Sequence, residues 1–284
     1  MSRFSAYCRK LTASSRALPN YLILGTQKGG TTSVYEYLNR HPQVVPSKKR
    51  EVHFFDLSFH RGIKEYRRYF PLRRTIRKRE QALGKPVLTG ESSPYYLFHP
   101  HCPQRIREAL PEAKLIVVLR NPVDRAYSHY THNRRKGRES RSFAEAVREE
   151  LDRFPAEAKR LMEDLHAESE FHRHYSYVHR GFYAEQIKRY LKHFPAVALL
   201  AIRSEDLFEQ PRKTMDRICA FLRIEPMPED TVFTAHNRQD YDSGIDPETR
   251  KELRNLYAPH NANLKTLLGA EFSWDTAPGF PADS

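Results

Sequence analysis

Cysteine is scarce in this chain, with three among 284 residues, at Cys8, Cys102 and Cys219. None stands in a C-x-x-C spacing, which excludes a disulfide framework or a cysteine-based zinc site as the organising feature. Long apolar runs are also missing. No stretch approaches the roughly 20 residues that span a bilayer, and the first 18 residues are polar and basic without the apolar centre of a secretory signal. The sequence therefore predicts a soluble, cytoplasmic chain with no transmembrane segment. Internal repeats and low-complexity tracts are absent. Acidic side chains are in deficit, 35 against 48 lysines and arginines, which leaves a net charge of +13. That balance predicts attraction to polyanions: nucleic acid, an acidic membrane surface, charged glycans or a multiply charged nucleotide. Two basic clusters sharpen it, Arg73, Arg74, Arg77, Lys78 and Arg79, then Arg134, Arg135, Lys136, Arg138 and Arg141.

What is present suffices for a core, since 39% of the residues are hydrophobic. Strand-like runs occur at 21–25, 87–90, 114–119 and 196–202. The last two are continuously apolar, as strands buried on both faces of a parallel sheet are. Helical patterns at 31–39, 103–110, 122–136, 182–193, 211–222 and 247–268 alternate with them, the last closed by Gly269. Alternation of this kind predicts an α/β fold with a central parallel sheet flanked by helices. Residues 1–19 read as a loose basic arm. Residues 20–284 read as one domain with a charged, helical insertion at about 137–180, and Trp274 as a packing anchor near its end.

Three segments carry chemistry. Directly after the first strand stands Gly25-Thr-Gln-Lys28-Gly29-Gly30-Thr31-Thr32. A glycine-rich strand-to-helix turn points its N–H groups at phosphate oxygens. Its Gly-x4-Gly spacing is that of a P-loop, but Thr31-Thr32 replaces the Lys-Ser/Thr pair and the lysine lies inside the loop. That displacement argues against ordinary ATP or GTP chemistry. The second segment is Leu119-Arg120-Asn-Pro-Val-Asp-Arg-Ala-Tyr-Ser128, where a strand delivers an arginine and a helix carries a serine two turns later. A guanidinium fork with a hydroxyl suits a terminal phosphate monoester; alone, the same residues suit a plain strand-to-helix junction. The third is Arg50-Glu51-Val-His53-Phe54-Phe55-Asp56. Glu51 and His53 share a side in an extended run, and the phenylalanines form an apolar wall. A carboxylate there is expected to have a raised pKa and to act as a general base.

Together these segments resemble the sulfotransferases that use 3′-phosphoadenosine 5′-phosphosulfate (PAPS), in particular the branch of heparan sulfate N- and 3-O-sulfotransferases and their bacterial relatives. The likeness continues into Arg180-Gly-Phe-Tyr183 and the region from Pro259-His-Asn261 to Trp274, so it covers about residues 20–275. The resemblance implies a P-loop-like sulfotransferase fold and transfer of a sulfuryl group from PAPS to a hydroxyl, less readily an amine, of a carbohydrate or glycosylated acceptor. It implies that Lys28 meets the phosphosulfate, that Gly29, Gly30, Thr31 and Thr32 cradle the 5′-phosphate, and that Arg120 and Ser128 take the 3′-phosphate. Glu51 is then the base, His53 orients it or the acceptor, and the acceptor lies against His53, Phe54, Ser92 and Ser93. A fixed lysine and backbone donors neutralise the developing charge, so no metal is required.

Two departures bear on the acceptor. The glycosaminoglycan enzymes carry Glu-Lys-Ser/Thr where this chain has Glu91-Ser92-Ser93-Pro94. A late Lys-Gly-Arg loop in those enzymes corresponds here to residues 236–244, in which Arg238 is placed to supply a phosphate contact. The acceptor is therefore read only as a hydroxyl compound, acidic or neutral, with no specific nucleic-acid partner. Two other readings stand beside this one. A P-loop kinase would turn over magnesium ATP, and a polyanion-binding module would bind heparin or nucleic acid with steep salt dependence and draw no benefit from Glu51.

Overall fold

The apolar runs become four parallel strands in the computed structural model, which describes residues 3–234 and 244–274. The strands are β1 (Tyr21–Gly25), β2 (Gly90–Ser92), β3 (Lys114–Leu119) and β4 (Leu199–Arg203), in the order β2-β1-β3-β4. The helices are α1 (Arg3–Leu11), α2 (Thr31–Asn39), α3 (Phe54–Leu57), α4 (Ile63–Arg67), α5 (Arg73–Leu83), α6 (Cys102–Ala109) and α7 (Pro122–Arg135). They continue with α8 (Phe143–Glu163), α9 (Glu170–His174), α10 (Tyr183–Leu191), α11 (Ser204–Glu209), α12 (Pro211–Leu222) and α13 (Pro247–Leu268).

The chain divides into two compact units, residues 1–119 with 189–239, and residues 120–188 with 240–284. The first holds the whole sheet. Every residue of β1 is buried, as are Leu115–Leu119 of β3, because each central strand has a partner on both edges and helices on its faces. Ile23, Ile116, Val118 and Ile202 of the sheet pack with Val34 and Leu38 of α2 and with Met215, Ile218 and Leu222 of α12. Apolar residues four apart on both helices account for that packing. The second unit is built on α7, α8 and α13, with a core that includes Val123, Tyr127, Phe143, Val147, Tyr177, Leu253 and Tyr257. Trp274 is 6% exposed, its ring 6.1 Å from that of Tyr183, as a packing anchor should be.

Three expectations shift. The strand expected at 87–90 pairs with β1 only from Gly90 onward, Tyr21 opposite Gly90. Leu88 instead makes an isolated bridge to Val44, and the Thr89 N–H is taken by the Asn20 side chain. The run at 196–202 starts as a 3-10 turn, Ala196–Ala198, with Val197 78% exposed, and β4 itself is a half-buried edge strand. Finally, the N-terminal arm is not loose. Residues 3–11 are helical, Arg9 Nε donates to the Arg68 carbonyl at 2.5 Å, and Arg16 donates to the Phe70 carbonyl at 2.8 Å.

Candidate active site

The glycine turn leaves β1 at the carboxyl edge of the sheet, where α/β proteins bind ligands. A Cβ on Gly29 would lie 2.5 Å from the Val118 carbonyl oxygen, so only glycine lets the turn pack on β3. Gly30 starts α2 at φ 104°, a backbone that L side chains resist, and no side chain caps the helix there. The positive dipole end of α2 therefore opens at this turn, where negative charge is stabilised. Thr31 is buried and Thr32 half-buried at that end. Lys28, half-buried, holds φ 71°. The donor set fits the 5′-phosphosulfate of PAPS: a backbone cradle closed to side chains, with one ammonium.

The segment carrying Glu51 lies beside β2 on the same edge. Ser92 N–H donates to the Arg50 carbonyl at 3.0 Å, and Ile23 of β1 pairs with Ser92 of β2. His53 sits at the N-cap of α3 at φ 57°. Its Nδ1 is 2.7 Å from Asp56 Oδ2 and its Nε2 is 3.3 Å from Glu51 Oε2. Arg50 donates to the other oxygen of Glu51 at 2.8 Å. The result is a row of charges, guanidinium, carboxylate, imidazole, carboxylate, with Glu51 36% exposed and the Asp56 side chain fully buried.

This geometry reverses the expected pKa of Glu51. Burial does push its carboxyl upward, but the hydrogen bonds from His53 and Arg50 outweigh burial and hold it down at about 2. Burial likewise opposes the His53 imidazolium, and the bonds to Asp56 and Glu51 outweigh it, raising His53 to about 9. The apolar wall is absent from the carboxylate because Phe54 and Phe55 turn inward. Their rings pack on Tyr66 at 4.5 and 5.1 Å.

Three of the four residues expected to meet the acceptor lie inside the fold. Phe54 is 2% exposed, and Ser92 and Ser93 are fully buried. The Ser93 hydroxyl is committed, donating to Glu91 Oε2 at 2.6 Å while accepting from His53 N–H at 3.1 Å. Of the four residues assigned to the acceptor, only His53 reaches the surface. Sequence reasoning passed over Asp56, although a His-x-x-Asp spacing at a helix start was the available signal.

In the second unit, Asn121 caps α7 by accepting from Val123 and Asp124 N–H, and Pro122 occupies the favoured first position. Arg120, just before the cap, is half-buried, and its carbonyl accepts from the Tyr183 hydroxyl at 2.9 Å. Ser128 lies two turns along α7 and is fully buried. Arg238 lies outside the described residues. Among the described residues no cluster of three or more His, Cys, Asp or Glu side chains has the arrangement of a metal site, and no helix is long and apolar enough to cross a membrane.

Comparison with known proteins identifies the family. Residues 18–243 match the sulfotransferase domain family. Heparan sulfate glucosamine 3-O-sulfotransferase 3B1 of Mus musculus is 30% identical over 285 residues, covering 93% of this chain and 66% of that protein. Bifunctional heparan sulfate N-deacetylase/N-sulfotransferase 3 of Homo sapiens is 30% identical over 281 residues, covering 88% of this chain and 30% of that one. The chain thus spans just under two thirds of the 3-O-sulfotransferase and under a third of the bifunctional protein. The crystal structure of a sulfotransferase from Alicyclobacillus acidocaldarius superposes with a TM-score of 0.65 at 32% identity, covering 89% of this chain and 96% of that one. A mouse sulfotransferase complexed with PAP shares the fold at a TM-score of 0.50 and 14% identity.

Proposed function

The chain belongs to the sulfotransferase family, and from that premise we propose that it transfers the sulfuryl group of PAPS to a hydroxyl of a carbohydrate acceptor. The observation that supports this most is the turn at the end of β1, with Lys28 in left-handed backbone and a glycine cradle opening α2. Lys28 and the α2 N-terminus stabilise negative charge on the 5′-phosphate oxygen as its bond to sulfur breaks. Arg120 and Ser128 hold the 3′-phosphate, and Arg238 is a further phosphate contact. Glu51 takes the proton of the acceptor hydroxyl while that oxygen bonds to sulfur, and PAP leaves. Loose transition states of this kind place the charge chiefly on the leaving group, so the proton departs late and a weakly basic carboxylate suffices. An acceptor that draws Arg50 or His53 away from Glu51 raises its proton affinity at that moment. His53, held by Asp56, keeps Glu51 in place. The sulfated-glycan relatives and the basic clusters favour an acidic glycan as acceptor.

The test is turnover of PAPS with a panel of glycans, followed as PAP release and product mass. Glu51→Gln is expected to bind PAP within about twofold of wild type while transfer falls at least about a thousandfold. Lys28→Ala is expected to lower turnover far more than acceptor affinity. Full transfer by Glu51→Gln overturns the base assignment, and turnover of magnesium ATP instead of PAPS overturns the donor.

A further inference from the structure

Glu91 is a carboxylate that the mechanism above leaves unused, and it is fully buried at the middle of β2. Both of its oxygens are engaged. Oε1 accepts from the hydroxyls of Tyr66 and Tyr96, each at 2.8 Å. Oε2 accepts from the Ser93 hydroxyl at 2.6 Å and from the Val52 N–H at 3.2 Å. Two of those partners carry the connection onward. The Ser93 hydroxyl accepts from His53 N–H at 3.1 Å, and the Tyr96 hydroxyl accepts from Phe54 N–H at 2.8 Å. Three successive backbone N–H groups, those of Val52, His53 and Phe54, therefore end on one carboxylate, directly or through a single hydroxyl.

Successive N–H groups that converge across a left-handed residue form an anion-binding concavity. His53, at φ 57°, is that residue. Here the anion is a side chain of the protein itself. A non-glycine residue in left-handed backbone persists only where its surroundings fix it. All four groups around Glu91 donate, which favours an ionised acceptor, although burial outweighs them and leaves the carboxyl raised above its ordinary value.

The geometry points to Glu91 as a positioning residue for catalysis: an internal anion that holds Val52–Phe54 in the conformation that aligns His53 with Glu51 and Asp56. The assignment rests on the proposed sulfuryl transfer, but it makes a claim about the free protein that stands apart from activity. Glu91 sits on β2 against β1 and the carboxylate row sits outside it, so the sheet edge sets where the base points.

The experiment compares Glu91→Gln with wild type in the full chain. Glutamine keeps the shape but turns an NH2 donor toward donors on one side. The expected result is a kcat lowered about 10- to 100-fold with KM for PAPS and PAP affinity within about twofold, as for a misplaced base. In the free protein, the NMR titration midpoint of His53 is expected to fall from about 9 toward its ordinary value, because the bonds that raise it lose their alignment. A merely structural glutamate would lower thermal stability and leave that midpoint where it is. An unchanged midpoint in a folded Glu91→Gln protein overturns the assignment. If Glu91→Gln does not fold, Ser93→Ala, which removes the hydroxyl joining Glu91 to His53 N–H and leaves the other three donors to Glu91 in place, is read by the same midpoint and with the same criterion. A wild type inactive toward PAPS would count against the function alone, since the titration does not involve PAPS.

Discussion

At the scale of single residues, Lys28, His53 and Arg223 are the non-glycine residues with positive φ among those described, and the first two are the candidate catalytic cations. Strain of this kind is kept where neighbouring bonds dictate it. For His53 those bonds include two carboxylates, and they make its charge a stability term. With a pKa near 9 against an ordinary 6.5, the imidazolium contributes fully below about pH 6.5, and the contribution drains as pH rises through 9. Glu51, held near 2 against 4.5, contributes above its ordinary value and loses its share only as pH falls through 2. Between about pH 6.5 and 10, wild type is expected to lose on the order of 2 kcal/mol more unfolding free energy than His53→Gln, as read from urea denaturation. Parallel losses in the two proteins would show that the carboxylates do not hold the imidazolium. The sequence made Glu51, His53 and Lys28 legible, because their spacing on a strand-to-helix turn and an extended run is local. The sign of the Glu51 shift was not legible. It depends on which way Arg50 and Phe54 point, and alternation alone does not distinguish a phenylalanine facing the carboxylate from one facing Tyr66.

At the scale of elements, β1 and β3 were readable from apolar runs, and α2, α6, α7, α10, α12 and α13 from capping and period, whereas α1 and the short helices α3, α4 and α11 were not. Asn121-Pro122 before α7 is such a signal, as is Ser142 before α8. Ser142 Oγ accepts from Glu145 N–H at 3.3 Å, while Glu145 accepts from Ser142 N–H at 2.8 Å, a complete capping box. Edges were harder. Ala196 and the exposed Val197 belong to a turn, yet they sit in a run that reads as strand. The charged segment at 137–180 supplies α8 and α9, and one of its carboxylates turns inward. Glu150, 1% exposed, accepts from Val178 N–H at 2.6 Å, from His179 N–H at 2.9 Å and from His179 Nδ1 at 2.9 Å. It thereby ties α8 to the turn that leads into the Arg180-Gly-Phe-Tyr183 motif. Glu150→Ala strands the buried Val178 N–H, the partly buried His179 N–H and an imidazole, so a loss of about 3 kcal/mol is expected. Urea unfolding measures it. A loss under about 1 kcal/mol, the size of a solvated surface pair, would remove the tie.

At the scale of the whole molecule, the charge of +13 has two possible beneficiaries, and salt separates them. PAPS is itself multiply anionic, so the field that gathers an acidic glycan also gathers the donor. The exposed side chains of Arg74, Arg77 and Lys78 on α5, a helix with no buried residue, form a cationic face, as do Arg134, Lys136 and Arg138 around the end of α7. Arg141, by contrast, is paired with Glu139 and Glu149 and adds little to such a field. If these faces serve the acceptor, raising salt from about 50 to 200 mM weakens an acidic glycan steeply, since each neutralised charge adds to the slope of log affinity against log salt. The KM of an acidic glycan should then rise by about tenfold or more, while that of a neutral glycoside stays within about twofold. If the charge serves only the donor, KM for PAPS climbs equally with either acceptor and the two acceptor curves coincide. Coincident curves would sink the acidic-acceptor reading while leaving the transfer chemistry at Glu51 and Lys28 untouched, because those residues act at hydrogen-bond range, where salt screens least.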